Sequence, residues 1–420
     1  MRMMRKLIFL NLVLFIVLIN AYPQIAQFRG PYRNGNFEDT QLKKFWPENG
    51  PSVLLKLDGL GQGHSSPVVH NNIIYLSGKK DSLDVLTAYD FTGRQLWSEA
   101  FGAAWYASYS DTRSTPTIEN ERIYISSGMG EVVCMDTKTG KIIWKKDPHS
   151  EFKGAFGSWG TAESVLLTDK AVIASVGGKE ASVVALDKEN GNFLWKSSPT
   201  KDKRAYVSPL LIERNGQEII LIVLSDNIMG INPQNGEIFW TYDLRECPSC
   251  PDGKSYRRNN TNTPLYKNGE IFFTCGYDTP AVMLSLSEDG RSVKLKWQND
   301  VLDTHHGGVV EVGGYIYGSN WMSNSDGKWV CLEWETGKVM YETEWINKGQ
   351  IIYADGNLYC KEEKTGHIAL VPATPSGFNI TSSFRPEQKP GPYWSHPVIY
   401  DGKLLVRQNG ELMVYDIRNN

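Results

Sequence analysis

Ala88–Trp97 reads AYDFTGRQLW: a strand, a glycine turn, and a tryptophan four residues after the glycine. Five further copies follow along the chain. They are CMDTKTGKIIW (Cys134–Trp144), ALDKENGNFLW (Ala185–Trp195), GINPQNGEIFW (Gly230–Trp240), SLSEDGRSVKLKW (Ser285–Trp297) and CLEWETGKVMY (Cys331–Tyr341). The fifth carries three extra residues between turn and tryptophan, and the sixth replaces Trp by Tyr. A fixed spacing repeated along a chain means one supersecondary unit repeated in space.

A second marker leads each unit. SSPVV (Ser65–Val69), STPTI (Ser114–Ile118), VSPLL (Val207–Leu211), NTPLY (Asn262–Tyr266) and SHPVI (Ser395–Ile399) are small-polar-Pro starts of apolar strands. Pro67 and Pro397 lie 330 residues apart, which over seven steps is about 47 per unit, a propeller-blade period. Ala162–Leu167, His306–Val312 and Gln350–Gly356 fill the places where the proline is missing. Within a unit, short apolar runs alternate with Gly, Asn and Asp turns, the pattern of antiparallel meanders. Beyond the N-terminus no stretch sustains a helical period.

The spacing therefore predicts an all-β, eight-bladed propeller of four-stranded antiparallel blades. Its last unit (Trp394–Tyr400, Lys403–Gln408, Glu411–Asp416) is one strand short. Val53–Leu57 is expected to supply that strand from the other end of the chain, closing the ring and removing an open sheet edge. The organisation read from the sequence is a signal peptide over 1–21, an N-terminal extension over 22–52 and the propeller over 53–420. Arg2, Arg5 and Lys6 followed by the apolar run Leu7–Ile19 make a secretory signal, with cleavage placed near Ala21. An uncleaved anchor is the alternative. Tyr22, not a cysteine, directly follows Ala21, so a lipid anchor is not expected. The chain is then periplasmic or secreted, with no transmembrane segment after cleavage, and is expected to be a monomer.

A net charge of −3 among 420 residues argues against a nucleic-acid surface. Export gives Cys247 and Cys250 a disulfide as the first expectation, with free thiols as the alternative. Pro251, not His, directly follows Cys250, so this is not a covalent haem motif. Cys134, Cys275, Cys331 and Cys360 read as small buried hydrophobes.

The A-x-D-x-x-T-G-x-x-x-W repeats resemble those of the quinoprotein-like (pyrroloquinoline quinone-like) eight-bladed propellers. FRGPYRNG (Phe28–Gly35) and WPENGP (Trp46–Pro51) resemble the opening of secreted bacterial members. That family mixes quinone-dependent dehydrogenases with cofactor-free scaffolds. The dehydrogenase reading would require a vicinal Cys-Cys pair, a Trp floor, carboxylate and amide ligands to calcium, and an Asp base. No Cys-Cys pair occurs in the chain. Trp159, Glu163 and Asp303 are the residues open to the other roles, with blade packing the alternative for Trp159 and loop capping for Asp303.

The loops leading into the inner strands all start on one face of the ring, so their side chains should surround one mouth of the channel. They carry His64, Arg113 and Trp159, then Tyr206, Asn260, His305 and His306, and finally Trp394 and His396. Such a rim suits a small polar molecule, a glycan or a peptide or protein segment. The alternative is that these groups satisfy loop backbone and bind only water. His64, His306 and His396 come from blades too far apart to meet at one ion within about 2 Å of each nitrogen, and no metal is expected. The function expected is that of an exported, non-enzymatic binding propeller without a cofactor. The alternative is a dehydrogenase-like enzyme using pyrroloquinoline quinone with calcium, or another metal, at the channel mouth.

Overall fold

A computed structural model describes residues 25–246, 259–387 and 391–419. It contains eight sheets arranged as blades. Each blade runs outward from a short inner strand. The first blade is Val68–His70, Ile73–Lys80, Leu83–Asp90 and Gln95–Ala103. The later inner strands are Thr117–Glu119, Leu166–Leu167, Leu210–Arg214, Leu265–Lys267, Val310–Val312, Gly349–Ala354 and Val398–Tyr400. The tight turns fall on residues able to hold positive φ, such as Asn71 and Asn72 at 50° and 59°. The inner strand of the eighth blade is shorter than expected, beginning at Val398 because Pro397 has no N–H to offer a ladder.

Closure occurs as the sequence predicts. Val53–Leu57 pairs antiparallel with Glu411–Asp416 as the outer strand of the eighth blade.

The repeat also explains how neighbouring blades lock. Each tryptophan lies on the turn glycine of the following copy: a Cβ on Gly140, Gly191, Gly236 or Gly337 would strike Trp97, Trp144, Trp195 or Trp297 respectively. The indole N–H then donates into the next blade's turn, Trp97 to Thr137 O (2.9 Å), Trp144 to Lys188 O (2.9 Å) and Trp195 to Pro233 O (3.0 Å). Glycine and tryptophan are thus two halves of one interblade contact, since only glycine leaves room for the ring at φ near +70°. Trp240 is the exception. The blade after it carries the three-residue insertion, Gly290 meets Ile219 instead, and the Trp240 indole N–H is buried without an acceptor. At the ring closure the turn glycine Gly93 meets Leu55 and Leu57 of the closing strand.

The N-terminal extension is part of the core of the ring. Asn36–Phe37 adds to the seventh blade as a parallel strand on the channel side of Gly349–Ala354. Ala26 bridges to Ile118 on the inner strand of the second blade. Between them the chain turns inside the channel and drives two arginines in opposite directions. Arg33 donates to Ser164 O (2.8 Å), Pro209 O (3.2 Å), Val165 O and Thr117 Oγ1 (3.2 Å), reaching blades two, three and four. Arg29 donates to Val309 O (2.5 Å), Ile351 O (3.2 Å) and His396 Nδ1 (3.0 Å), reaching blades six, seven and eight. Both are buried. Burial lowers each guanidinium from its ordinary value to about 9, which leaves both charged at neutral pH. FRGPYRNG is therefore a channel plug. Gly35 and Gly308 complete its seat, since a Cβ at either would collide with Arg29.

Candidate functional site

Above the plug lies a cavity of about 570 Å³, floored by Phe28. Phe28 meets the His396 ring edge-on at 5.3 Å between centroids. Eight of the nine rim residues expected from the sequence line this cavity: His64, Arg113, Trp159, Tyr206, His305, His306, Trp394 and His396.

Asn260 does not. It is fully buried, and its side-chain amide donates to Leu224 O (2.5 Å) and Ser225 O (3.3 Å), while its backbone carbonyl accepts the Tyr206 N–H (2.9 Å). Its planar donors are used to hold the loop that positions Tyr206, so the expectation of a ligand contact there is corrected. Cys247 and Cys250 lie outside the described residues.

The walls form a continuous run of rings. Tyr206 packs on Trp159 (5.3 Å), Trp159 on Tyr109 (6.3 Å) and Tyr109 on Trp394 (5.9 Å). Trp394 meets both His64 (4.9 Å) and His306 (5.3 Å). His306 lies on His305 (4.3 Å), and His305 meets Tyr277 (4.8 Å). Each ring in this run comes from a loop, and the blades fix where those loops start.

Several polar groups of the rim act on the walls. Arg113 donates to Trp159 O (3.0 Å) and to Tyr109 O, tying two neighbouring rings together through their backbones. The Tyr206 hydroxyl accepts the Trp159 N–H at 3.2 Å. Arg407 of the eighth blade donates to Ser65 O (3.1 Å) and holds the loop of His64. His64 Nε2 lies 3.3 Å from Asp111 Oδ2.

The tautomer of His396 follows from its neighbours. Arg29 can only donate, so His396 Nδ1 accepts, and His396 Nε2 carries the proton it gives to His306 O at 3.1 Å. Both nitrogens of His396 are thus engaged, which keeps it out of any ion site. Burial lowers all four rim histidines, His64, His305, His306 and His396, and brings His306 to about 3. The mouth therefore presents neutral imidazoles at physiological pH.

His305, His306 and Glu363 offer ligand atoms within 4.8 Å of one another. Glu363, Tyr109, Tyr277 and Phe28 also line the cavity and were not among the residues singled out from the sequence. Tyr109 had a legible signal in the aromatic loop Trp105–Tyr109. Glu363 had none, because it lies within the seventh unit rather than ahead of its inner strand.

The residues open to quinone and calcium roles do not assemble a site. Trp159 lines the cavity, but Glu163 and Asp303 do not. Glu163 is buried, with both carboxylate oxygens accepting the Ser175 N–H (2.9 and 3.2 Å), and it provides counter-charge to Arg204 and Arg33. Asp303 accepts from Trp321 N and Asp278 N, both at 3.0 Å, and so caps two loops. Neither Glu163 nor Asp303 therefore offers a calcium ligand to this mouth.

Comparison with known proteins agrees with the fold. A family profile described as outer membrane protein assembly factor BamB matches residues 82–343. The chain is similar to the outer membrane protein assembly factor BamB of Moranella endobia, 23% identical over 318 residues, covering 70% of this chain and 75% of that one. Among solved structures, BamB from Moraxella catarrhalis superposes with a TM-score of 0.61 at 12% identity, covering 88% of this chain and 98% of that chain. A europium-containing methanol dehydrogenase superposes with a TM-score of 0.69 at 12% identity, covering 94% and 98%. At these identities the structural likeness is one of fold. No helix among the described residues is long and apolar enough to cross a membrane.

Proposed function

The chain belongs to the outer membrane protein assembly factor BamB family of quinoprotein-like eight-bladed propellers, and on that premise we propose that it is an exported, non-enzymatic propeller that binds through the plugged mouth. A periplasmic or secreted location agrees with relatives named for outer membrane protein assembly. Those names also favour a protein partner over a small metabolite.

The observation that carries the reading is the run of rings from Tyr206 to Tyr277 around one cavity. A propeller needs only small polar residues ahead of its inner strands, as at Ser208 and Thr263. Here large aromatic faces are held open by arginine-to-carbonyl bonds, and Tyr109 remains 58% exposed. Aromatic side chains give large contact area at low entropic cost and retain a polar edge. A mouth built this way takes a partner segment with apolar side chains, or a glycan face, and has edge donors to orient it.

The test is a thermal-shift screen of peptides, glycans and quinone. Peptides or glycans should raise the melting temperature, and Trp159→Ala combined with His306→Ala should abolish the shift. A shift produced by quinone with calcium, and by neither of the other classes, would support the enzyme reading instead.

A further inference from the structure

We propose that His305, His306 and Glu363 form a binding site for a late first-row divalent cation, Zn²⁺ being the representative case, on the wall of the aromatic mouth. The inference does not rest on the partner-binding reading above.

The geometry is close to what such an ion needs. His306 Nε2 and Glu363 Oε2 are 3.4 Å apart. Two ligands on tetrahedral arms of about 2.1 Å would be separated by about 3.4 Å. The third ligand atom comes from His305, within the 4.8 Å spread of the trio, so a movement of roughly an ångström completes the set.

A second observation points the same way. His305 Nδ1 is buried and has no hydrogen-bond partner, whereas its Nε2 is 2.8 Å from the Tyr277 hydroxyl. A buried polar atom left unpaired is costly. A ligating imidazole with its other nitrogen fixed by a neighbour is the usual arrangement at metal centres, because the outer partner sets the tautomer and the ring angle. Glu363 is oriented in the same manner. Its Oε1 accepts from Lys348 Nζ at 2.7 Å, and that ammonium is anchored on Ser323 O (2.9 Å) and Asn324 O (3.0 Å). Lys348 thus commits one carboxylate oxygen and leaves Oε2 to face His306. The same ammonium opposes a second positive charge, which favours ligands that hold the ion by covalent character over a purely electrostatic cage.

Donor type selects the ion. Two imidazoles and one carboxylate suit Zn²⁺, Co²⁺ or Cu²⁺, whereas Ca²⁺ and Mg²⁺ require an oxygen shell that this trio does not provide. All three residues line the cavity, so the ion would keep a coordination position open toward whatever occupies the mouth.

The experiment uses the mature chain, freed of any tag and treated with chelator, and measures Zn²⁺ binding by calorimetry and Co²⁺ binding by its visible spectrum. The wild type should bind one equivalent of Zn²⁺, ignore Ca²⁺, and give the intense visible bands of four-coordinate Co²⁺. His305→Ala and His306→Ala should each weaken Zn²⁺ at least tenfold, while His70→Ala, at the opposite mouth, should not. Glu363→Gln preserves shape and an acceptor for Lys348, and decides the matter if either alanine variant fails to fold. Less than half an equivalent in the wild type, a preference for Ca²⁺, or equal affinity in wild type and Glu363→Gln would overturn the site. Zn²⁺ binding without any ligand shift in the screen would leave the ion site standing and remove the partner-binding reading.

Discussion

Arg29 Nη1 lies 3.0 Å from His396 Nδ1, so the segment that plugs the channel also sets the tautomer of a residue at its mouth. The extension and the rim form one unit, and a change in either is felt in the other. Phe28, next in sequence, becomes the floor of the cavity for the same reason.

Arg29→Ala should therefore do more than loosen a tail. It leaves Val309 O, Ile351 O and His396 Nδ1 without the donor they share, and a loss of about 3–5 kcal/mol in denaturant unfolding is expected. Arg29→Lys should recover little of it, because an ammonium cannot reproduce the planar fork. Full stability in Arg29→Ala would mean that the plug is not seated as described.

The closing strand and the plug can be separated. A chain beginning at Glu38 lacks the plug but keeps Val53–Leu57, and should remain a closed ring with a weakened mouth. A chain beginning at Asp58 also loses the strand paired to Glu411–Asp416, and should aggregate through the exposed edge. Size-exclusion chromatography and thermal melts of the two chains check this; equal behaviour would refute the closure.

Interblade tryptophans should differ according to their acceptors. Trp144→Ala is expected to cost about 3–5 kcal/mol as a buried aromatic replaced by a void. Trp144→Phe should cost about 1 kcal/mol more than Trp240→Phe, because Trp144 loses its bond to Lys188 O whereas Trp240 has none to lose. Chemical denaturation of the three variants measures the difference.

The architecture was legible because at four blade boundaries the tryptophan of one copy meets the glycine of the next, which forces their spacing to repeat. The rim was legible for residues just ahead of inner strands, such as Trp159 and Trp394, because strand starts lie on one face. Asn260 was misplaced because the sequence does not show whether an amide turns to the cavity or to the backbone of its own loop. The plug was not legible at all. Arg29 and Arg33 reach six blades, four of them through carbonyls, and main-chain acceptors leave no pattern in side-chain identity.

Acid should act on the mouth in a defined direction. His396 titrates well below its ordinary value in the folded chain because burial and Arg29 disfavour its charge. Its folded contribution is thus complete above the unfolded value near 6.5 and is lost as pH falls below it. The stability difference between wild type and His396→Ala should shrink between pH 6.5 and 5 by up to about 1.4 kcal/mol per pH unit. Asp303, raised to about 7, and Asp84, raised to about 6, gain stability over acidic pH in the opposite sense, which is why the comparison is made between two proteins that share them. A difference that is flat or grows on acidification would contradict the tautomer assignment.

The central claim is that this propeller binds through its plugged aromatic mouth, and amide hydrogen exchange with a ligand from the screen tests it most directly. Protection should appear in the loops carrying Tyr109, Trp159, His305 and Trp394, and should vanish in the Trp159→Ala, His306→Ala protein while that protein melts within a few degrees of wild type. Protection confined to the outer strands or to the opposite mouth around His70 and Tyr400, unchanged in the double variant, would contradict it.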